Sequence, residues 1–261
     1  MISDIATRLA RIRLTVGYAA TLLAVSVTLV MLGPQAQAQV IRNASTNVHN
    51  LAHGQLGTLL GSAFVTDTGP IYIWLPGLVC LLALAELLWH GARLAMVFVT
   101  GHIGATLLVA GSLATAIKLG WLPLSIARAS DVGMSYGAVA VLGALTAAIS
   151  PRWRPTWIGW WVPAGVAAAA ASADFTDAGH AIALLLGVLV ANRFTGPVTW
   201  TRTRYTLLGV GAAFGFLVLA HTAWSALAGV GVGVLGAIVA DVLAGLRMTR
   251  RPRPVPAVAT Q

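Results

Sequence analysis

The chain of 261 residues is 58% hydrophobic and only 9% charged, with a mean hydropathy of +0.85 and a net charge of +9. Several apolar runs reach the roughly 18 residues needed to cross a bilayer, which predicts an all-α polytopic membrane protein. The basic residues fall in short clusters between these runs, as in cytoplasmic loops, so the charge does not indicate nucleic-acid binding. The single cysteine, Cys80, excludes an intramolecular disulfide.

The first apolar segment follows three arginines and covers residues 14–32. The small-residue tripeptide at 36–38 would also suit the cleavage site of a secretory signal peptide. An uncleaved first span is favoured over a signal peptide because of the family resemblance described below. The mixed loop at 34–70 is expected to lie at the membrane interface or to re-enter the bilayer.

Further apolar runs follow this loop. The last one, at 205–246, is about twice one bilayer crossing, and the polar residues 221, 222 and 225 near its middle divide it into two spans. The chain therefore has eight predicted spans, of which the second to sixth are 71–89, 94–117, 132–149, 157–171 and 178–193.

The distribution of arginine and lysine predicts the orientation of these spans. With both termini in the cytoplasm, thirteen basic residues lie inside and three lie outside, in agreement with the positive-inside rule. The inside residues are Arg8, Arg11, Arg13, Arg93, Arg152, Arg154, Arg193, Arg202, Arg204, Arg247, Arg250, Arg251 and Arg253. The outside residues are Arg42, Lys118 and Arg128. We therefore expect a multi-pass protein of the plasma (inner) membrane.

A serine between two glycines lies near the outer end of the fourth span, in Gly133-Met134-Ser135-Tyr136-Gly137. Ser130 or Asp131 is expected to cap this helix, which would place Ser135 about one turn below the polar end. The two glycines would let a substrate or a neighbouring backbone approach the hydroxyl. Small residues in membrane helices also serve packing, so the motif indicates catalysis only if a base lies nearby.

A candidate base, His180, lies near the outer end of the sixth span, three residues after Asp177. Below it runs a stripe of small residues that would let another helix approach closely: Ala183, Gly187 and Ala191. If that helix is the fourth span, His180 is expected about 2.6–3.5 Å from the Ser135 hydroxyl, the minimal arrangement for acyl transfer. Asp177 is a candidate to orient the imidazole. The alternative is a histidine that only makes a hydrogen bond at a helix end.

On these residues, the chain resembles the rhomboid family of intramembrane serine proteases. The serine motif is similar to the family's Gly-x-Ser nucleophile motif, and residues 179–187 are similar to its His-x-x-Gly-x-x-x-Gly, with Ala183 in place of the first glycine. Glu86, followed by Gly91, resembles the acidic residue that closes the second core helix. Residues 58–64 resemble the segment that leads into that helix. The similarity covers residues 1–194, so two helices at 205–246 and a basic tail at 247–261 would be additions to a six-helix core.

The resemblance implies a serine endopeptidase that cleaves single-span membrane substrates near the outer surface, with Ser135 as nucleophile and His180 as base. It implies motif and packing roles for Gly133, Gly137, Ala183, Gly187 and Glu86. The family's oxyanion-binding His-x-x-x-Asn is not matched, since Pro70 and Trp74 stand there. This absence favours the alternative of a non-catalytic protein that binds other transmembrane helices.

Two further histidines lie in the first loop. His49 and His53 are candidate oxyanion donors if the loop folds back toward the serine. They are four residues apart but have no evident third ligand, so no metal and no cofactor is expected. His102, midway along the third span, is expected to make a structural hydrogen bond to a neighbouring helix rather than to act in catalysis.

Overall fold

The computed structural model describes residues 9–66, 71–172, 174–194 and 198–249, and these residues form helices and turns without any strand. The helices are α1 (Arg13–Leu32), α2 (Pro34–Ala44), α3 (Val48–Ala52), α4 (Thr58–Gly61), α5 (Ile71–Lys118), α6 (Ser135–Ala144), α7 (Arg154–Ser172), α8 (Phe175–Ala191), α9 (Arg202–Leu219) and α10 (Ala223–Thr249). Short 3₁₀ turns occur at Ser62–Phe64, Leu124–Arg128 and Leu145–Ala147. The predicted all-α class is confirmed.

Three of the described helices are long and apolar enough to cross a membrane: α1, α5 and α10. The segments Ser135–Ala147 and Phe175–Ala191 are shorter apolar helices. At 48 residues α5 is about twice a bilayer crossing, and His90, with φ +67°, breaks it into two helical segments. The break falls between the predicted second and third spans. The total of six core spans plus two stays a prediction.

Helix α6 lies at the centre of the bundle, and all its residues from Tyr136 to Ala144 are buried. Small residues allow its neighbours to approach closely. A Cβ atom at Gly101 of α5 would overlap the side chain of Ala140, and one at Gly137 would lie 2.6 Å from the Phe98 ring. The small residues of this segment therefore serve close helix packing as well as any chemistry at its end.

The start of α6 differs from the sequence prediction. The helix begins at Ser135, with no side-chain cap from Ser130 or Asp131. Gly133 has φ +124°, which is outside the helical region, and its N–H donates to the Ser62 carbonyl at 2.8 Å. The preceding segment is thus held by the first loop, and Ser135 is the first residue of the helix rather than one turn inside it.

Glu86 joins the start of α1 to the first segment of α5. The side chain is only 3% exposed, and its carboxylate accepts hydrogen bonds from Leu14 N at 2.9 Å, Thr15 N at 2.8 Å and Thr15 Oγ1 at 2.7 Å. The N–H groups in the first turn of a helix have no partner within the helix, and an anion there is stabilised by the helix dipole. Glu86 therefore caps α1 from a neighbouring helix.

We expect Glu86→Gln to lower the free energy of unfolding by about 2–4 kcal/mol. The amide group would place its own N–H donor against the buried donors of α1, and the charge-assisted hydrogen bonds would be lost. Unfolding of the purified protein in detergent measures this change. Thr15→Val removes only one of the three bonds and should cost less. Equal stability of Glu86→Gln and the wild type would show that this cap does not hold α1.

The two C-terminal helices pack against the rest of the bundle rather than standing apart. Helix α9 lies along the first segment of α5, where Gly211 approaches the Leu81 backbone. Helix α10 lies along α7, where Gly236 and Gly233 approach Gly159 and Ala164. Glycines at these crossings let the backbones come close, as is common in membrane bundles.

Candidate active site

The first loop folds back onto the segment that precedes Ser135. Thr46 N donates to the Asp131 carbonyl at 3.0 Å, and Asp131 N donates to Ser45 Oγ at 2.8 Å. Together with the bond from Gly133 to Ser62, these contacts fix the chain just before α6. The loop thus positions the first turn of the helix that carries the candidate nucleophile.

Helix α8 packs on α6 along the predicted stripe of small residues. A Cβ atom at Gly187 would overlap the carbonyl oxygen of Ala140, and one at Gly143 would overlap that of Leu184. Nearer the start of α6, Gly179 faces the hydroxyl end of the Tyr136 ring. The helix that packs on the stripe is therefore α6, which lies in the predicted fourth span.

The imidazole of His180 is oriented by two contacts. Its ring meets the Tyr136 ring edge to face, with centroids 5.2 Å apart, and its Nδ1 lies 3.3 Å from Asp177 Oδ1. An ionised carboxylate only accepts hydrogen bonds, so Nδ1 carries a proton, and in the neutral imidazole Nε2 keeps its lone pair. His180 is 6% exposed, and Nε2 has no hydrogen-bond partner within the described part of the chain. This tautomer is the one that a general base requires.

The predicted hydrogen bond between Ser135 and His180 is not formed, since Nε2 of His180 has no hydrogen-bond partner among the described residues. The reason is the register of α6. Tyr136 occupies the face toward α8, and Ser135, about 100° around the helix, shares a face with Leu142, which packs beside Gly215 of α9. Ser135 is partly exposed at the helix start, next in sequence to the residue whose ring contacts His180.

Sequence comparison identifies the wider class of this helical bundle. A family model described as rhomboid-like protein matches residues 11–199, which is more than half of the chain. The chain belongs to the rhomboid-like protein family. Comparison with curated proteins and with solved structures gives no significant match.

The match to the rhomboid-like family ends before α9 and α10. It contains Ser135, His180 and Asp177, as well as Glu86 and the small residues of the α6–α8 crossing. It does not contain the loop between α9 and α10. Any residue that this loop brings to the site is therefore an addition to the matched region.

The loop histidines are not brought to His180. His53 is exposed, its Nδ1 lies 2.7 Å from the His49 carbonyl, and the two rings are 4.2 Å apart. Partial desolvation and the positive charges of His53 and Arg128 lower the pKa of His49. Both histidine rings thus make these contacts with loop residues. Pro70 lies outside the described residues.

Backbone donors near Ser135 replace the missing pair as candidates for oxyanion binding. The first hydrogen bond of α6 runs from Ala138 N to Met134 O at 3.0 Å. The N–H groups of residues 135–137 precede it, and at a helix start such groups have no partner within the helix. They are also at the positive end of the helix dipole, which favours a developing negative charge.

A second serine–histidine pair lies beneath the first loop, and it is buried. Ser62 Oγ is 3.1 Å from His102 Nε2 and 3.0 Å from Thr46 Oγ1, and Thr46 Oγ1 donates to the Thr58 carbonyl at 2.7 Å. If each hydroxyl donates to a single acceptor, Thr46 donates to Thr58, Ser62 to Thr46, and His102 Nε2 to Ser62. Both residues are buried, so this pair is a structural tie between the loop and α5. The structural role expected for His102 is found, but its partner lies in the first loop rather than in a neighbouring helix.

The residues that the sequence did not single out at the site are Tyr136 and His221. In the sequence, Tyr136 stands out only as a member of the serine motif. A large side chain between a serine and a glycine nevertheless indicates a residue that packs against a neighbouring helix. His221 appeared only as a break in an apolar run. Within the described residues, no group of three His, Cys, Asp or Glu side chains could hold a metal ion.

Proposed function

We propose that the chain is an intramembrane serine endopeptidase of the plasma membrane that cleaves single-span substrates near the outer surface. The observation that carries this proposal is the environment of His180: Asp177 holds its Nδ1, and its Nε2 has no hydrogen-bond partner among the described residues, at the end of the bundle where α6 begins with Ser135. A buried, oriented histidine with a free basic nitrogen is what proton transfer from a serine requires.

In the proposed reaction, Ser135 Oγ attacks the scissile carbonyl as His180 Nε2 takes the hydroxyl proton. The oxyanion is bound by N–H groups of the first turn of α6. The C–N bond then breaks, and His180 returns the proton to the leaving amine. Water attacks the acyl-enzyme with His180 again as base, which frees the second product and restores Ser135. Catalytic hydrogen bonds are often long in resting enzymes, so we infer that bound substrate turns Ser135 toward Nε2.

The site needs water, and the proposed orientation supplies it. The contact between Asp177 and His221 lies at helix ends that the charge pattern places outside. The contact between Glu86 and Thr15 lies at the other end of the bundle. We expect reporter fusions after residues 45, 125 and 175 to read outside, and fusions after 92, 153 and 203 to read inside. Reversed signals at two of these six positions would discard the orientation with both termini in the cytoplasm.

A second function is favoured by the structure of α6 itself. Tyr136, rather than Ser135, faces His180, and the usual oxyanion pair is unmatched. A non-catalytic rhomboid-like protein would use the bundle to bind other transmembrane helices. In that case the serine and histidine would serve only packing.

Purified protein in liposomes, with a panel of single-span substrates, separates the two functions. An endopeptidase produces two fragments from at least one substrate, and production stops in Ser135→Ala. A helix-binding protein retains substrates in cross-linking experiments but leaves them intact. Ser62→Ala is the matched control, because Ser62 also contacts a histidine but lies in the structural tie to α5.

A further inference from the structure

Asp177 is contacted by two histidines through the same oxygen. Oδ1 lies 3.3 Å from His180 Nδ1 and 3.4 Å from His221 Nδ1. Asp177 is 2% exposed, whereas His221 is 52% exposed, so His221 covers the carboxylate from the outside of the bundle. His180 Nδ1 donates a hydrogen bond to Oδ1, and His221 Nδ1 lies at ion-pair distance from the same oxygen.

The second contact adds a constraint that α8 cannot supply alone. Asp177 and His180 are three residues apart on one helix, and 3.3 Å is long for a hydrogen bond between a nitrogen and an oxygen. A carboxylate held only by this bond can rotate away and let the imidazole take its other tautomer. The contact with His221, which comes from the loop between two other helices, restrains Oδ1 a second time.

His221 belongs to the loop between α9 and α10, outside the residues matched by the family. Ser225 is fully buried, and its N–H donates to Thr222 Oγ1 while its hydroxyl donates to the Thr222 carbonyl. These bonds close the turn next to His221. Because α9 packs on α5 and α10 packs on α7, the loop is placed by two separate crossings.

We propose that His221 is a positioning residue of the proposed endopeptidase, which holds Asp177 so that His180 keeps its proton on Nδ1 and its lone pair on Nε2. This gives the two C-terminal helices a function, namely to bring an orienting side chain to the site. The effect of His221 on turnover rests on the proposed function, whereas its effect on the tautomer of His180 does not.

The test measures both turnover and the tautomer of His180. We expect His221→Ala to lower kcat about tenfold with little change in KM, as for loss of one polar contact to a buried carboxylate. We expect His221→Asn to restore most of kcat, since the Asn amide offers a donor at nearly the position of Nδ1. Trp224→Ala, an exposed change in the same region, should leave kcat unchanged.

Nitrogen-15 chemical shifts of the histidine rings in detergent report the tautomer without any reaction. The wild type should show Nδ1–H for His180, and His221→Ala should show a mixture of tautomers. An unchanged tautomer, or an unchanged or raised kcat in His221→Ala, would overturn the proposal. If the wild type cleaves nothing while the tautomer still depends on His221, the proposed function fails and the positioning contact stands.

Discussion

Replacing Ser135 by alanine is expected to lower cleavage of a responsive substrate by roughly 10³-fold or more, and His180→Ala should have an effect of the same size. The serine supplies the attacking oxygen, and the histidine supplies the site that takes its proton, so neither works without the other. The double variant should be no worse than either single one. Fragment yield over time in liposomes measures all three.

Ser62→Ala is the control for this pair of variants. It removes a hydroxyl that lies 3.1 Å from a histidine, but in a pair that is buried beneath the first loop. We expect its cleavage rate to stay within a few-fold of the wild type when the protein is folded. Loss of cleavage in Ser62→Ala with retention in Ser135→Ala would move the chemistry to the first loop.

Gly187→Ala is expected to have the largest effect on stability among conservative changes in α8. The added methyl group would overlap the Ala140 carbonyl oxygen, a backbone atom that cannot turn aside. Overpacking typically costs about 1–3 kcal/mol, and we expect a value near the upper end. Because α6 and α8 must move apart, cleavage should fall together with the free energy of unfolding.

Gly111→Ala is the matched control, since no heavy atom of the described residues, apart from the nearby backbone of its own helix, lies within 4 Å of the position of its Cβ. Alanine has a better helix propensity than glycine by about 1 kcal/mol, so this variant should be as stable as the wild type or slightly more stable. Thermal unfolding in detergent compares the two. If both variants behave alike, the α6–α8 crossing is looser than the structure indicates.

The helices could be predicted from the sequence largely because apolar run length and flanking arginines directly reflect the membrane. The division of α5 near His90 followed from the same patterns. The packing of Gly187 on α6 followed from the stripe of small residues to which it belongs. The start of α6 could not be predicted this way. It depends on bonds from Gly133 and Asp131 to a loop some seventy to eighty-five residues earlier, and no local pattern encodes such contacts.

The sequence predicts two residues of the candidate site, but not the geometry of the site. Ser135 and His180 could be placed at one end of the bundle by counting residues, but which face of α6 meets α8 depends on where that helix begins. A shift of three residues in the start changes which side chain meets His180, and here it is Tyr136. The contact from His221 depends on how two further helices pack, so only the folded chain reveals it.

The most direct test of the proposed active site is covalent labelling of the purified protein with a serine-directed phosphonate probe, followed by mass spectrometry of the labelled peptide. The proposed mechanism predicts an adduct on Ser135 in the wild type, and loss of that adduct in His180→Ala although the serine is still present. An adduct on Ser62, or labelling of Ser135 that does not depend on His180, would contradict it.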